Sequence, residues 1–417
     1  MNEKLFFDIH CHAMNLSHPN MLAFIKRLPW RLLGLVGIPI LSFLITLLGK
    51  KVINRLLNLL SVMENDVGDI FLIMEFYLKN GGLIEHDALI ENDVLTIDYT
   101  DYNAIVLTPL LIDFAFKKIK SETYYRIPPE KPIIPQTVDV FNGIRKYYSC
   151  ELRESSPGKY EILKREGRAI FEIYPFLGLN TQHYDLDAVE GMLQKYFGRY
   201  TGSHTALKEN LGKFRGDIES LGSNFFAGIK VYPPIGYDPW PERDDEQLAK
   251  VTSLYECCCA KKIPITAHCS EVGFNLDKKN VKTYTSPFTW EKVLNQEAYR
   301  DLKLNLAHFG EQRNFLLMFH NHKWQHKIVE LIEKYPNVYT DFSYRAFHNN
   351  YYKSLKEIIG NTDRLSKRIL FGTDFMINLL EIDSYNKYLN NFRTTKYITS
   401  HEKELFCSTN PERFLFV

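Results

Sequence analysis

Leu5-Phe6-Phe7-Asp8-Ile9-His10-Cys11-His12 is an apolar run that closes on two histidines two residues apart. On a β-strand successive side chains alternate faces. Asp8, His10 and His12 are therefore expected on one face, and Phe7, Ile9 and Cys11 on the other. Two imidazoles at a strand end make half of a divalent-metal site. The remaining ligands must then arrive from strand ends far away in the chain.

Beyond residue 100 the sequence acquires a rhythm. Short β-rich runs occur at Asn103–Thr108, Arg168–Tyr174, Phe225–Tyr232, Ile263–His268, Leu302–His308, Asn337–Phe342 and Arg368–Asp374. Between them lie helical stripes, such as Leu248, Val251, Tyr255 and Cys258, or Trp324, Ile328, Leu331, Ile332 and Tyr335. Strand–helix alternation predicts a parallel sheet with right-handed crossovers, and eight such units predict a closed (β/α)8 TIM barrel. A doubly wound open sheet is the structural alternative, but no glycine-rich phosphate turn follows the first strand.

The spacing is uneven. About 90 residues separate the first two strands and about 60 the next two, well beyond what a crossover needs. These βα insertions are expected over the C-terminal face, where barrels carry their chemistry. The chain is expected to be one domain over 1–417, with a largely helical, partly apolar insertion within 14–100. A Pro-rich stretch, Arg126 to Gln136, lies in the second insertion.

Composition is that of a soluble globular protein, with 24% charged and 45% hydrophobic residues. A net charge of +1 over 417 residues offers no basic surface for nucleic acid. The seven cysteines lack a framework spacing, and adjacent Cys257, Cys258 and Cys259 point to different faces of a helix. Reduced, buried thiols and a cytoplasmic location are expected. Met1-Asn2-Glu3-Lys4 followed at once by a strand does not read as a signal peptide. Leu32 to Gly49 is nearly all apolar between basic flanks, but is short for a span and contains Gly34, Gly37 and Pro39. A single crossing would also part the histidine pair from its partners. A hairpin that lids a pocket, joins a homo-oligomer interface, or rests on a membrane through 32–60 fits better.

The partners demanded by the first strand are present. His268 closes the fifth run, His308 the sixth and Asp374 the eighth. With His10 and His12 they supply imidazoles and a carboxylate suited to Zn²⁺ or a similar first-row ion. Any one histidine alone would be an ordinary satisfied polar residue; five metal-type residues at four matching strand ends are not.

On these residues the chain resembles the amidohydrolase superfamily, in particular its amidohydrolase-related branch that includes aminocarboxymuconate-semialdehyde decarboxylase. Gly228-Ile229-Lys230-Val231-Tyr232-Pro233-Pro234, Pro264 to His268, Leu306 to Gly310, Phe371 to Asp374 and the closing Asn410 to Leu415 carry the likeness beside the first strand. The long first insertion departs from the usual pattern. The resemblance implies that His10, His12, His268 and Asp374 hold one metal, with Asp374 also a base and His308 a second base or electrophile. In a two-metal version Lys230, carbamylated, and His308 become ligands; unmodified, Lys230 forms a salt bridge or binds a substrate carboxylate. One ion is usual in that branch.

Tyr174 and Arg345 follow the third and seventh runs and are candidate substrate contacts, Arg345 through a bidentate carboxylate pair. Glu271 and Glu311 are candidates for orienting imidazoles. The cluster His320, His322 and His326 reads as a solvated helix end. Cys11 reads as a packing residue. The expected activity is hydrolysis of an amide, ester or lactone-type bond in a small carbonyl- or carboxylate-bearing molecule by metal-activated water. Non-oxidative decarboxylation on the same site is the alternative. A non-catalytic metal-binding barrel with a docking hairpin is the alternative of another class.

Overall fold

A computed structural model describes residues 4–19, 50–82, 88–114, 131–273, 280–312, 322–360 and 362–416. Nine parallel segments build the central wall: β1 (Leu5–Cys11), β2 (Ala104–Pro109), β3 (Phe171–Ile173), β4 (Phe176–Gly178), β5 (Gly228–Val231), β6 (Ile265–Ala267), β7 (Leu304–Leu306), β8 (Val338–Asp341) and β9 (Ile369–Leu370). Strands β1, β2 and β3 pair in that order, and β4 through β9 form a six-stranded sheet in chain order. Parallel strands with helical crossovers give a TIM-barrel-like α/β fold. The ladder is not continuous around it. Isolated bridges, Cys11 with Phe375 and Leu110 with Phe176, span the two seams.

The first seam has a covalent cause. The third predicted run, Arg168–Tyr174, supplies only β3, which pairs with β2; the chain resumes past the end of that run as β4, which pairs with β5. Tyr174-Pro175 lies at the break, and a proline cannot donate to a ladder. The backbone changes partner there: Tyr174 N–H donates to Leu107, while the Pro175 carbonyl accepts from Ala227.

β1 departs from simple alternation. Its register against β2 runs from Asp8–Leu107 to Cys11–Pro109, one extra residue on the β1 side. This bulge resets the phase. Phe7 and Ile9 join an inner cluster with Val106, Phe176, Tyr339, Leu370 and the closing residues Phe414 and Leu415. Asp8 bonds Thr373 through its N–H and hydroxyl, at 3.0 and 2.6 Å, whereas His10 turns to Asp341. The expectation that Asp8 shares a face with His10 and His12 is thus corrected by the bulge.

Helices cover the other side. Asp245–Lys261 starts where the Asp244 carboxylate accepts from Gln247 N–H, carries Asp245 and Glu246 in its first turn, and stops at left-handed Lys262. It buries Val251, Leu254, Tyr255 and Cys258. Lys323–Lys334 buries Trp324, Ile328, Leu331 and Ile332. All seven cysteines are free thiols.

Helices Lys50–Met63 and Val67–Asn80 occupy part of the 14–100 stretch. The same stretch holds an antiparallel meander, Ile90–Glu91, Val94–Ile97 and Thr100–Tyr102, which the sequence reading did not contain. A second unforeseen element is the hairpin of Cys150–Ser156 and Lys159–Lys164. The apolar segment 32–49 and His320 lie outside the described residues. Among the described residues, no helix is long and apolar enough to cross a membrane.

Candidate metal centre

The strand ends bring His10, His12, His268, His308 and Asp374 to one place. His10, His308 and Asp374, all buried, offer ligand atoms within 4.8 Å of one another. His12 Nε2 lies 3.0 Å from Asp374 Oδ1, and His10 Nε2 3.4 Å from the same oxygen. His268 joins through His308, its Nδ1 3.0 Å from His308 Nε2. The three-residue group thus contains His308 where the one-ion set expected from the sequence had His268. His268 is turned away because its Nε2 is engaged by the Val272 carbonyl at 2.9 Å.

The outer nitrogen of each ring is committed as a donor. His10 Nδ1 meets Asp341 Oδ2 at 3.0 Å, and His12 Nδ1 meets the Leu110 carbonyl at 2.9 Å. His308 Nδ1 meets the Ser343 carbonyl at 3.1 Å. With one proton per ring, these partners fix the tautomers. All four inward nitrogens then carry lone pairs. Those of His10 and His12 face Asp374 Oδ1, and those of His268 and His308 face each other. His10 Nε2 is buried with no hydrogen-bond partner.

Asp341, the last residue of β8, underlies this arrangement and was not singled out from the sequence. Its Oδ2 accepts from His10 Nδ1 and from Asn305 Nδ2 at 2.7 Å. Its Oδ1 accepts from the backbone N–H groups of His308 and Ser343, at 3.1 and 3.0 Å, and from the Ser343 hydroxyl at 2.5 Å. Burial opposes ionisation of Asp341, but the five convergent donors, led by His10, hold it well below the usual carboxylate range. Burial pulls His10 down to about 4, against the pull of Asp341, so the ring is neutral at pH 7. Burial likewise drives His268 well down. Asp374 is also depressed, as its histidine contacts, His12 first, outweigh burial.

Backbone strain concentrates here. His308 and Asp374 sit at φ 63° and 59°, in the left-handed region that side chains disfavour. Both are tied down, His308 N–H to Asp341 and Asp374 N–H to the His10 carbonyl at 2.7 Å. Gly372 is needed for close approach: a Cβ there would come within 2.7 Å of the His10 Cβ.

Lys230 on β5 is fully buried, and its ammonium has no hydrogen-bond partner. Tyr232 offers its ring at 5.8 Å. Burial lowers Lys230 to about 8, against the fields of Asp341 and Asp374.

The other candidates are placed elsewhere. Tyr174 does not join the histidines: its hydroxyl donates to Glu172 at 2.7 Å and its ring packs on His204 and Phe416. The strand break turns it into the inner cluster. Arg345 pairs with Glu311 at 2.9 Å, both side chains partly exposed. Glu271 accepts from Gln312. His322 contacts Gln325 at a helix start. Cys11 is buried in the main core, where burial pushes its thiol far up.

A family model described as amidohydrolase matches residues 183–417, more than half of the chain. The chain belongs to the amidohydrolase family. Its members are metal-dependent enzymes, and the match takes in β5 to β9 with Lys230, His268, His308 and Asp374. The histidine pair on β1 lies before the matched region. No curated protein matches the sequence. Among solved structures the chain is similar to a crystal structure of an amidohydrolase II, with 15% identity, a TM-score of 0.46, and coverage of 98% of this chain and 99% of that one. It is also similar to 4-oxalomesaconate hydratase from Rhodopseudomonas palustris, with 14% identity, a TM-score of 0.46, and coverage of 98% and 95%. A third is manganese-bound 5-carboxyvanillate decarboxylase from Novosphingobium aromaticivorans, with 10% identity, a TM-score of 0.45, and coverage of 100% and 96%.

Proposed function

We propose that this amidohydrolase is a metal-dependent hydrolase acting on an amide, ester or lactone-type bond of a small molecule bearing a carboxylate. It forms one domain over 1–417, a TIM-barrel-like fold with 14–100 inserted after β1. The reading rests on the four inward lone pairs around Asp374. Acceptors packed against a carboxylate with no donor among them repel one another until a cation joins them. His10 Nε2, buried and unpartnered, supports the fit. Imidazole nitrogens with one carboxylate suit Zn²⁺ or a similar first-row ion.

His10, His12, Asp374 and, from the His268–His308 pair, one or both rings would hold a single ion. Bound there, a divalent ion supplies Lewis acidity that draws the pKa of water toward ~7. Asp374 keeps a second oxygen and accepts the proton of the attacking water. Whichever ring of the His268–His308 pair is left off the ion would be a second base, its inward lone pair accepting a proton. Lys230, a buried cation lacking an anion, takes the substrate carboxylate. That same cation favours a second reading, non-oxidative decarboxylation, since it sets a carboxylate beside the histidines.

The test is metal analysis of purified protein, followed by turnover of an amide, ester and lactone panel by wild type and Asp374→Asn. The expected result is about one first-row ion per chain and a loss of roughly 10²–10⁴ in rate in the variant. Protein without metal, or a variant with undiminished turnover, sinks the reading. Release of CO₂ from carboxylates without hydrolysis selects decarboxylation.

A further inference from the structure

We propose that the floor of the barrel, at the end opposite the metal centre, carries a phosphate-binding site built by Arg364, Arg368, Arg413 and the Tyr339 hydroxyl. It goes beyond the metal chemistry and does not depend on it.

Strand register brings these residues together. Thr340 on β8 pairs with Ile369 on β9, so one step back Tyr339 stands beside Arg368. Thr340 N–H donates to the Arg368 carbonyl at 3.0 Å, which holds the two in place. Tyr339 comes two residues before Asp341, about 7 Å further toward the N-terminal end of the strand. It belongs there to the inner cluster with Leu370 and Phe414. The Arg368 guanidinium lies over the Tyr339 ring, 5.0 Å from its centre. The closing helix, Asn410–Phe416, adds Arg413, whose neighbour Phe414 packs on the same ring at 5.1 Å. Arg364 comes from the short helix Asp363–Ser366.

The cluster has donors and lacks an acceptor. Arg364 Nε donates to the Ile332 carbonyl at 2.7 Å. Arg368 Nε donates to the Pro336 carbonyl and its Nη1 to the Lys367 carbonyl, both at 3.0 Å. These bonds orient the two guanidinium planes and leave further N–H groups unspent. Among the described residues, Arg413 and the Tyr339 hydroxyl have no hydrogen-bond partner, and no carboxylate pairs with any of the three guanidiniums. Elsewhere the chain matches such groups with acids, Arg165 with Glu75 at 2.7 Å and Arg345 with Glu311 at 2.9 Å. Here the acid of the short helix, Asp363, is taken by Lys367 at 2.6 Å. All three arginines are half-buried, so solvent screens their repulsion incompletely. Burial first, then Arg413 and Arg364, holds Arg368 below the usual arginine range, against the pull of Tyr339. A phosphate group answers this pattern. It brings about two negative charges and several acceptor oxygens, which suit guanidinium forks and a phenol donor together. A carboxylate has one charge and two oxygens and satisfies fewer of the donors. The ligand is inorganic phosphate or the phosphate of a small phosphomonoester.

Calorimetric titration of the full chain with inorganic phosphate and with glycerol phosphate, in chloride buffer of constant ionic strength, tests this. A dissociation constant of about 1 mM or tighter is expected for at least one of them. Similar affinities assign the site to inorganic phosphate, and a clear gain with the ester assigns it to an organic phosphate. Arg368→Gln and Arg413→Gln should each weaken binding roughly tenfold or more. Lys230→Met, at the metal centre, should leave it unchanged. In wild type, phosphate should slow the modification of Arg364, Arg368 and Arg413 by phenylglyoxal, read by peptide mass, more than chloride of the same ionic strength does. That measurement carries the test if a variant fails to fold. No binding of either phosphate compound, or protection by chloride equal to that by phosphate, overturns the site. So does binding that survives both arginine variants or is lost in Lys230→Met.

Discussion

Replacing Asp341 by Asn should disarm the metal centre without touching a ligand. The carboxylate receives five donors, two on Oδ2 and three on Oδ1. An amide can offer an oxygen to only one set. Placed against the three donors on the Oδ1 side, it turns an NH₂ toward His10 Nδ1 and Asn305 Nδ2. Asn305 can answer by flipping, because its own Oδ1 is buried and unpartnered. His10 can answer only by moving its proton to Nε2, which removes the lone pair aimed at Asp374. Loss of a partner that orients a ligand typically costs 10–100-fold in metal affinity, or about 1.4–2.7 kcal/mol. Two hydrogen bonds to a charged group also disappear, at about 1.5–3 kcal/mol each before relief of carboxylate burial. A net destabilisation of about 2–4 kcal/mol of the metal-free protein is expected. Zinc titration by calorimetry and urea unfolding of the metal-free variant measure the two effects. Unchanged zinc affinity would refute the tautomer reasoning, even if stability falls.

Two further outcomes follow from charge. Lys230 has its pKa lowered from 10.5 to about 8. The folded state thus disfavours its proton, a cost fully present below pH 8 and relieved as pH rises to 10.5. That gap corresponds to about 3 kcal/mol. Metal-free Lys230→Met should be more stable than wild type at pH 7, with the difference closing by pH 10.5 in urea titrations, and a variant less stable at pH 7 would contradict the unpaired-cation description. Glu172 has its pKa lowered from 4.5 to about 2, since bonds from His204, Lys208 and Tyr174 outweigh burial. Its stabilisation is present above pH 4.5 and lost as pH falls toward 2. After allowance for partial exposure, Glu172→Gln should cost about 2 kcal/mol at pH 7 and little near pH 2. A loss independent of pH would assign the effect to packing instead.

The strand ends were legible because metal ligands and apolar runs are both dense local signals. Every central strand falls within or beside its predicted run, and His10, His12, His268, His308 and Asp374 meet as their positions required. What escaped depends on phase or on distance. Alternation placed Asp8 with His10, and a one-residue bulge separates them. Asp341 stayed hidden because its run was read through to Phe342, which put it inside the strand; ending the run one residue earlier would have exposed it as another strand-end carboxylate. Tyr174 was drawn to the pocket by position, and Pro175 deflects it. The hairpin at 150–164 has largely exposed, polar strands, whose alternation gives little contrast with loop, and the meander strands, two to four residues each, are too short for a period to show.

The seams in the wall have a bearing on how the molecule assembles. His10 and His12 belong to the three-stranded sheet, while His268, His308 and Asp341 belong to the six-stranded one, with Asp374 just past its last strand. The His10–Asp341, His12–Asp374 and Asp8–Thr373 contacts therefore cross the same junction as the backbone hydrogen bonds of Ile9 to Phe371, Asp374 to His10 and His12 to Phe375. The polar cluster is the fastener of this edge. Neither half holds a complete ligand set alone, so zipping the wall shut and completing the ligand set are one event, and a half-assembled chain has no competent place in which to trap an ion.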